Sequence, residues 1–233
     1  MTKENILFIV IGLLGGFMVG FFFANSVNQG AMLSATPAAT QPGGALPSGH
    51  PAINGSGNAG GSIPEVQAAI EKAKQNPDDF DAQIKAAELY YQIQRFEGSI
   101  EFLKRASEIQ PDNYDVVVNL GNAYFDAGKY EEAEKTYAKA LTKKSDDLNV
   151  RTDMGLTFVF RDNPDYDRAI KEFNQVLDAD PGHVQALQNL TVAYTKKSDK
   201  SNATATVARL EKVDAANGAL TKLKEEIQKI GAK

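Results

Sequence analysis

The sequence predicts an all-α protein: a right-handed solenoid of helix hairpins, preceded by one transmembrane helix and a disordered linker. Three observations lead to this prediction. The sixty residues between Glu4 and Glu65 contain no Asp, Glu, Lys or Arg. The first part of that stretch is apolar, and the second is rich in Gly, Pro, Ala and Ser. After it, apolar and small residues return every 34 residues, at the three- and four-residue spacing of a helix face within each period.

The composition excludes several classes of protein. Of 233 residues, 42% are hydrophobic and 24% are charged, which is typical of a chain that folds. The 30 Asp and Glu outnumber the 25 Lys and Arg, and the net charge of −5 argues against a nucleic-acid binder that neutralises phosphates. With no Cys and only two His, His50 and His183, the chain lacks the ligands for thiolate or imidazole-rich metal sites.

The first element is residues 6–24, nineteen residues without a polar side chain. At about 1.5 Å rise per residue they match the ~30 Å hydrocarbon layer, so we expect a transmembrane signal-anchor helix after a short cytoplasmic start, residues 1–5. The alternative is a cleaved signal peptide, because Lys3 and Ala24-Asn25-Ser26 resemble its charged start and cleavage site. The apolar run is longer than usual for such a peptide, which favours the anchor.

The residues that flank this segment indicate its orientation in the membrane, and three glycines within it indicate a surface where two copies could pair. Lys3 precedes it, and no Lys or Arg follows until Lys72. By the positive-inside rule the remainder of the chain lies outside the cytoplasm, which in a bacterium is the periplasmic side of the inner membrane. Gly12, Gly16 and Gly20 share one helix face, where two copies could pack closely as a homodimer. Glycine is also common in membrane helices that do not pair.

Residues 25–62 are predicted to be a flexible linker. They consist mainly of Gly, Pro, Ala, Ser, Thr, Asn and Gln, and four prolines interrupt any helix. By the coil relation for Gly-rich chains the root-mean-square span is roughly 35 Å, enough to hold a domain clear of the lipid headgroups. His50 lies in this linker, and we interpret it as an exposed residue rather than a ligand.

The remaining residues, 63–233, are predicted to form one repeat domain. A single helix at residues 64–75 is followed by repeats at 80–113, 114–147 and 148–182 and by a divergent repeat at 184–214. Two extra residues lengthen one loop of the third repeat, within residues 161–165. A last helix, residues 219–230, has one apolar stripe and is predicted to cap the solenoid.

Each repeat is predicted to contain two helices, because apolar residues follow helical spacing between breaks at Pro or small polar residues. Small residues allow the two helices to approach, and aromatic rings fill the remaining space. In the clearest repeat the positions that carry this pattern are Leu120, Gly121, Tyr124, Ala133, Tyr137 and Ala140.

At these residues the sequence resembles the tetratricopeptide repeat family, and Pro77, Pro111 and Pro181 match the proline that ends its repeats. The resemblance covers the three full repeats and extends more weakly into the fourth. Four residues depart from the family pattern: Ser99 replaces an alanine, Ser145 replaces the proline, and Gln83 and Arg151 replace a large apolar residue.

No arrangement of residues predicts an enzyme or a cofactor site. The chain has no phosphate-binding loop, no nucleophile elbow and no HExxH motif. Asp162, Asp165 and Asp167 superficially resemble a calcium loop, but their spacing is wrong for an EF-hand, so we expect capping and turn roles.

The resemblance instead implies a protein-binding groove lined by the first helix of each repeat. Ile84, Val118 and Thr152 occupy positions where chaperone-binding members place a lysine, so a chaperone-tail partner is not expected. The acids Asp81, Glu88, Asp115 and Asp126 surround the groove. The residues expected to line it are Ile84, Glu88, Tyr91, Val118, Asn122, Phe125, Leu156, Val159, Phe160 and Val192.

The sequence therefore predicts a non-enzymatic, membrane-anchored scaffold or adaptor that assists the assembly of an envelope or membrane complex. Its expected partner is a protein segment, helical or extended, with apolar anchors and some basic residues. Two alternatives remain. The chain could be a constitutive structural subunit of a membrane complex, or it could be an assembly factor of the cytochrome c maturation type, which rests on architectural analogy.

Overall fold

The structure is a computed structural model that describes residues 63–231. The predicted anchor with Gly12, Gly16 and Gly20, the linker and His50 lie outside these residues. Within the described part of the chain, no helix combines the length and apolar character required to cross a bilayer.

Residues 63–231 contain ten α-helices and no strand, in agreement with the predicted all-α class. They fall into two compact units, residues 63–178 and residues 179–231. In chain order the helices are α1 (Ile63–Gln75), α2 (Phe80–Gln92), α3 (Phe96–Ile109), α4 (Tyr114–Asp126), α5 (Tyr130–Lys143), α6 (Leu148–Phe160), α7 (Tyr166–Ala179), α8 (Val184–Lys196), α9 (Lys200–Val213) and α10 (Leu220–Gln228).

In the first unit, α1 packs on α2, α2 on α3, α3 on α4, α4 on α5 and α5 on α6. Each of these six helices thus contacts its neighbours among them, as expected when repeats stack to bury a shared core. The helices approach closely at alanines with no measurable exposure, including Ala86, Ala106, Ala133 and Ala140.

The residue directly before the first helix of each repeat caps that helix with its side chain. Asp79, Asn113 and Asp147 each accept a hydrogen bond from the backbone N–H three residues later, at 3.0, 3.2 and 3.0 Å. His183 occupies this position before α8, and its Nδ1 accepts from Ala186 N at 3.2 Å. These acceptors satisfy donors that a helix leaves unpaired in its first turn, so the caps fix where each first helix starts.

A glycine opposite an aromatic ring sets the spacing of two helix pairs. A Cβ atom at Gly121 would lie 2.6 Å from Cε1 of Tyr137, and one at Gly155 would lie 2.5 Å from Cε1 of Phe173. Both rings are almost fully buried. The sequence prediction that small residues allow the rings to fill the interior is therefore confirmed at these two positions.

The longer loop of the third repeat is held by charged residues. Arg161 and Arg168 both contact Glu134, at 3.3 and 2.7 Å, and both guanidinium groups stack on the ring of Phe158. Asp165 Oδ1 accepts a hydrogen bond from Arg168 N at 3.0 Å, which caps the start of α7. Asp165 therefore has the capping role expected from the sequence.

Two residues that depart from the family pattern make specific contacts. Gln83 is 2% exposed, and its Nε2 donates to Ala73 O at 2.8 Å and to Asn76 O at 3.2 Å, which satisfies carbonyls at the end of α1. Arg151 on α6 donates to Glu172 on α7 at 2.9 Å. At these two positions, hydrogen bonds therefore connect neighbouring helices, whereas other repeats have an apolar side chain there.

The second unit consists of α8, α9 and α10. Helix α9 packs on α8, and α10 packs on both. Leu220, Leu223 and Ile227 of α10 are buried, while Ile230, predicted to continue the stripe, lies beyond the end of the helix and is partly exposed. Helix α10 thus covers the apolar residues of this hairpin with one face.

Candidate functional site

The ten residues predicted to line the groove divide into two groups by exposure. Five are partly exposed, and five are buried with exposed fractions between 1% and 7%. Buried side chains offer no surface to a partner, so the accessible groove is narrower than the sequence indicates. The partly exposed residues are Ile84, Glu88, Tyr91, Phe125 and Phe160; the buried ones are Val118, Asn122, Leu156, Val159 and Val192.

The physical reason for this difference is clearest on α6. From Thr152 to Val159, every residue except Asp153 is buried. The helix is enclosed on nearly all sides by its neighbours, and spacing within one helix cannot reveal this. Val192 belongs to α8 in the second unit, where it is buried as well.

Three aromatic residues of the first unit, Phe125, Tyr130 and Phe160, contact one another. The ring of Phe125 lies edge-on to that of Phe160, with 6.0 Å between centroids, and edge-on to that of Tyr130, at 5.3 Å. Tyr130 in turn stacks on Phe160 at 6.1 Å. Among the residues predicted to line the groove, Phe125 and Phe160 are therefore in contact, whereas Val159 is buried.

A hydrogen bond connects the first helices of two successive repeats, and the charge of its acceptor affects a carboxyl group on the first helix of the third. The Tyr91 hydroxyl on α2 donates to Asp126 Oδ2 at the end of α4. Asp126 also interacts electrostatically with Asp153 on α6. We call Asp126 and Asp153 the carboxyl pair. Helices α2, α4 and α6 thus present their polar side chains to one another.

Burial raises the pKa values of both carboxyl groups of this pair. Burial raises the pKa of Asp126 to about 6, and the hydrogen bond from Tyr91 opposes the shift. Burial, followed by the charges of Asp126 and Asp147, raises the pKa of Asp153 to about 8. Near neutral pH the pair therefore retains a proton that ordinary aspartates would have lost.

The groups around the pair are acidic or neutral. Burial and then the Asp126 charge raise the pKa of Tyr91 well above its ordinary value, and burial and then the Asp153 charge do the same for Tyr137. Burial likewise raises the pKa of Glu88, against the charge of Lys85. Neither member of the carboxyl pair forms an ion pair with a Lys or Arg of residues 63–231.

Asp153 was missed by the sequence analysis, although the repeat period contained a signal. It lies 34 residues after Asn119 and 68 after Lys85, at the same position of successive first helices. Lys85 is exposed, whereas Asn119 and Asp153 are partly exposed, so the same position is more enclosed in the second and third repeats than in the first. Within the described residues, no group of three or more His, Asp or Glu is arranged to hold a metal ion.

The comparisons with known proteins agree with this architecture. Two models of the tetratricopeptide repeat match the sequence, over residues 55–114 and residues 95–152. No curated protein matches it significantly.

Several solved structures share the fold. A crystal structure of MamA is 20% identical, with a TM-score of 0.54 over 70% of this chain and 89% of that one. MamA 41-end from Desulfovibrio magneticus RS-1 is 13% identical, with a TM-score of 0.59 over 67% and 89% of the two chains. A tetratricopeptide repeat protein from Parabacteroides merdae ATCC 43184 is 19% identical, with a TM-score of 0.57 over 65% and 59%.

At these identities the likeness concerns the fold alone. It agrees with the two sequence matches and with the capped helix pairs that recur every 34 residues in the first unit. Residues 55–152 therefore carry tetratricopeptide repeats, a type of repeat found in scaffolds for protein–protein interaction.

Proposed function

We propose that this chain is a membrane-anchored scaffold that binds a segment of a partner polypeptide in the groove of α2, α4 and α6 and assists assembly of an envelope complex. The observation that carries the proposal is that Ile84, Tyr91 and Phe125 are partly exposed on the first helices and that Tyr91 donates a hydrogen bond to Asp126. Aromatic and aliphatic anchors next to a few fixed polar groups are typical of surfaces that bind peptides.

The location is proposed from the sequence. Residues 6–24 have the length and composition of a bilayer-spanning helix, and residues 25–62 are long enough to hold the repeats away from the lipid. Protease protection in intact and permeabilised spheroplasts tests this arrangement. We expect the repeats to be cut from outside the inner membrane, and protection of the repeats in intact spheroplasts would reject the orientation.

The binding role is tested by affinity capture of the full-length chain from detergent-solubilised membranes of its own host. We expect Tyr91→Ala/Phe125→Ala to lose the partner, because two anchors are removed. The matched control is Glu131→Ala/Lys139→Ala, which changes two exposed residues of α5. Equal recovery of partners by both variants would contradict binding in the groove.

The same preparation distinguishes a scaffold that exchanges partners from a constitutive subunit. Blue-native electrophoresis should show a scaffold in both free and bound forms. A chain found only at fixed stoichiometry in one complex would favour the structural alternative. Pairing of two anchors through Gly12, Gly16 and Gly20 stays a prediction that disulfide cross-linking of cysteines introduced on that face can test.

A further inference from the structure

An open cleft lies between α1 and the end of α2, and none of the residues predicted to line the groove lines it. Its volume is about 810 Å³, which is enough for several side chains. Its larger apolar residues are Val66 and Ile70 of α1, Tyr90 of α2, and Ile93 directly after α2. Ile93 is 41% exposed, and among the large apolar residues that the structure describes only Val213 is more exposed. The cleft therefore presents apolar surface to solvent.

At the equivalent place in the next two repeats, the chain's own cations cover an aromatic ring. One repeat later, the Nζ of Lys104 lies 5.7 Å from the centroid of the Tyr124 ring. Two repeats later, the guanidinium carbons of Arg161 and Arg168 lie 4.9 and 4.1 Å from the centroid of the Phe158 ring. Both rings are buried, with exposed fractions of 9% and 0%.

The first repeat has apolar residues in place of these cations. Tyr90 holds the position of the two buried rings, yet it is partly exposed, although Arg95 lies 6.0 Å from its centroid. Ile70 stands one period before Lys104, and Ile93 stands two periods before an arginine of the third repeat. An apolar occupant fits this cleft, because it would cover these side chains without burying another charge.

The segment of the chain that precedes α1 has matching chemistry. Residues 46–53 contain no Asp, Glu, Lys or Arg, and they begin with Leu46 and end with Ile53. Pro47 and Pro51 restrict the backbone between them, so less conformational entropy is lost when the segment is held extended. Extended segments that contain proline are also a common ligand of surfaces with exposed aromatic rings.

The connection to α1 keeps this segment close to the cleft. Ile53 lies ten residues before Ile63, where α1 begins, and ten residues span at most roughly 36 Å. A short tether of this kind gives an effective concentration on the order of millimolar. Residues 46–58 stand one period before α2, where a full repeat has its first helix, but their prolines and glycines disfavour a helix. An extended segment is therefore the form in which they can reach the cleft.

We propose that residues 46–53 of the chain's own linker dock in this cleft, with Leu46 and Ile53 against its apolar residues. This goes beyond the proposed function, because the cleft is separate from the groove. Docking leaves residues 25–45 as the free tether, whose root-mean-square span is roughly 25 Å instead of roughly 35 Å. The docked segment therefore sets how far the repeats stand from the bilayer.

The test is a distance measurement between two nitroxide labels on the full-length chain in detergent. The chain has no Cys, so labels attach only at Asn54→Cys, beside the linker segment, and Gln92→Cys, an exposed residue beside Ile93. Pulsed electron–electron double resonance gives the distribution of distances between them. We expect one narrow distribution, whereas an undocked linker would give the broad distribution of a flexible coil.

Two variants of the labelled chain test the contacts. Ile70→Lys places in the cleft the residue that covers the ring in the second repeat, and Leu46→Ser/Ile53→Ser removes the apolar side chains of the linker. Each should convert the narrow distribution into the broad one. The matched control is Ala138→Lys, which adds the same charge at the equivalent, exposed position of α5 and should leave the distribution narrow. Thermal unfolding checks that each variant is folded, and the linker variant decides if Ile70→Lys is not.

Three outcomes would overturn the proposal. A broad distribution with the unmodified linker would leave the cleft to a partner protein. A narrow distribution that neither variant changes would show that these apolar contacts do not hold the segment. Loss of the narrow distribution when labelled chain is diluted with unlabelled chain would assign the cleft to the linker of a second copy. None of these outcomes bears on the groove, because no partner is present in the experiment.

Discussion

At the scale of single residues, two facing positions in each helix pair have complementary sizes. One position lies on the first helix of the repeat and the other on the second. Gly121 faces Tyr137 and Gly155 faces Phe173, whereas the corresponding pairs elsewhere are Ala87 with Leu103 and Thr191 with Val207. A larger residue in the first helix accompanies a smaller one in the second. The packing therefore constrains the pair rather than either residue alone.

Gly155→Ala tests this constraint. The added methyl would lie 2.5 Å from a ring atom of Phe173, so we expect a loss of about 1–3 kcal/mol in the free energy of unfolding. The double variant Gly155→Ala/Phe173→Leu reproduces the Ala87 and Leu103 combination and should recover part of that loss. Urea denaturation of wild type, Gly155→Ala, Phe173→Leu and the double variant measures the coupling, and strictly additive losses would contradict a shared constraint.

Ser99→Ala is expected to stabilise the protein. Ser99 is 1% exposed, and its hydroxyl oxygen makes no hydrogen bond among the described residues. The equivalent residues Ala133 and Ala169 are buried without a polar atom in the side chain. Removing the unpaired hydroxyl should raise the free energy of unfolding by about 1 kcal/mol, as measured by urea denaturation. A decrease would show that the hydroxyl has a role in the folded state.

At the scale of helices, every first helix begins after a capping side chain, but the chemical type of that side chain differs between repeats. His183 stands where the other repeats have Asp or Asn, and burial lowers its pKa, against the charge of Asp180. Its Nδ1 accepts a hydrogen bond only while it is unprotonated. The cap at the start of α8 is therefore lost when His183 is protonated.

This dependence predicts an effect of pH on the second unit. Because the pKa of His183 is lower in the folded chain, the unfolded chain binds more protons as the pH falls below about 6.5, and stability decreases. Hydrogen exchange of the α8 amides should therefore accelerate between about pH 7 and about pH 5, after correction for intrinsic rates. His183→Asn preserves a cap and should weaken that dependence, whereas an equal dependence would exclude His183 as its source.

The helices could be predicted from the sequence, whereas the accessible part of the groove could not. Local signals determine the helix ends: proline, caps and the 34-residue period are all visible in the chain. Exposure depends on neighbours that are distant in sequence. Val118 and Phe125 lie on the same helix with similar apolar character, yet Val118 is buried and Phe125 is partly exposed.

At the scale of the molecule, carboxyl groups from successive repeats of the first unit act on one another. Asp126 and Asp153 belong to different repeats, so their interaction follows from how repeats stack and not from any local motif. Asp126 is predicted among the acids of the groove and Asp153 is not, because a position in one helix does not reveal the charge opposite to it.

The pair also predicts how stability changes with pH. The pKa values of Asp126 and Asp153 are raised in the folded state, so this state binds more protons than the unfolded one between about pH 4 and about pH 8. Their contribution to stability is present at low pH and is lost as the pH rises through these values. Urea denaturation across this range should show a weaker decrease with Asp126→Asn/Asp153→Asn than with wild type, and identical slopes would contradict the raised pKa values.

The central claim, that a partner polypeptide occupies the groove, is tested most directly by site-specific photo-crosslinking in living cells. A benzoylphenylalanine at Phe125 places the probe among the aromatic residues of the groove, and one at Lys139 places it on an exposed part of α5. We predict a crosslinked polypeptide of defined mass from position 125 and none from position 139. Equal products at both positions, or products from position 139 alone, would contradict the account.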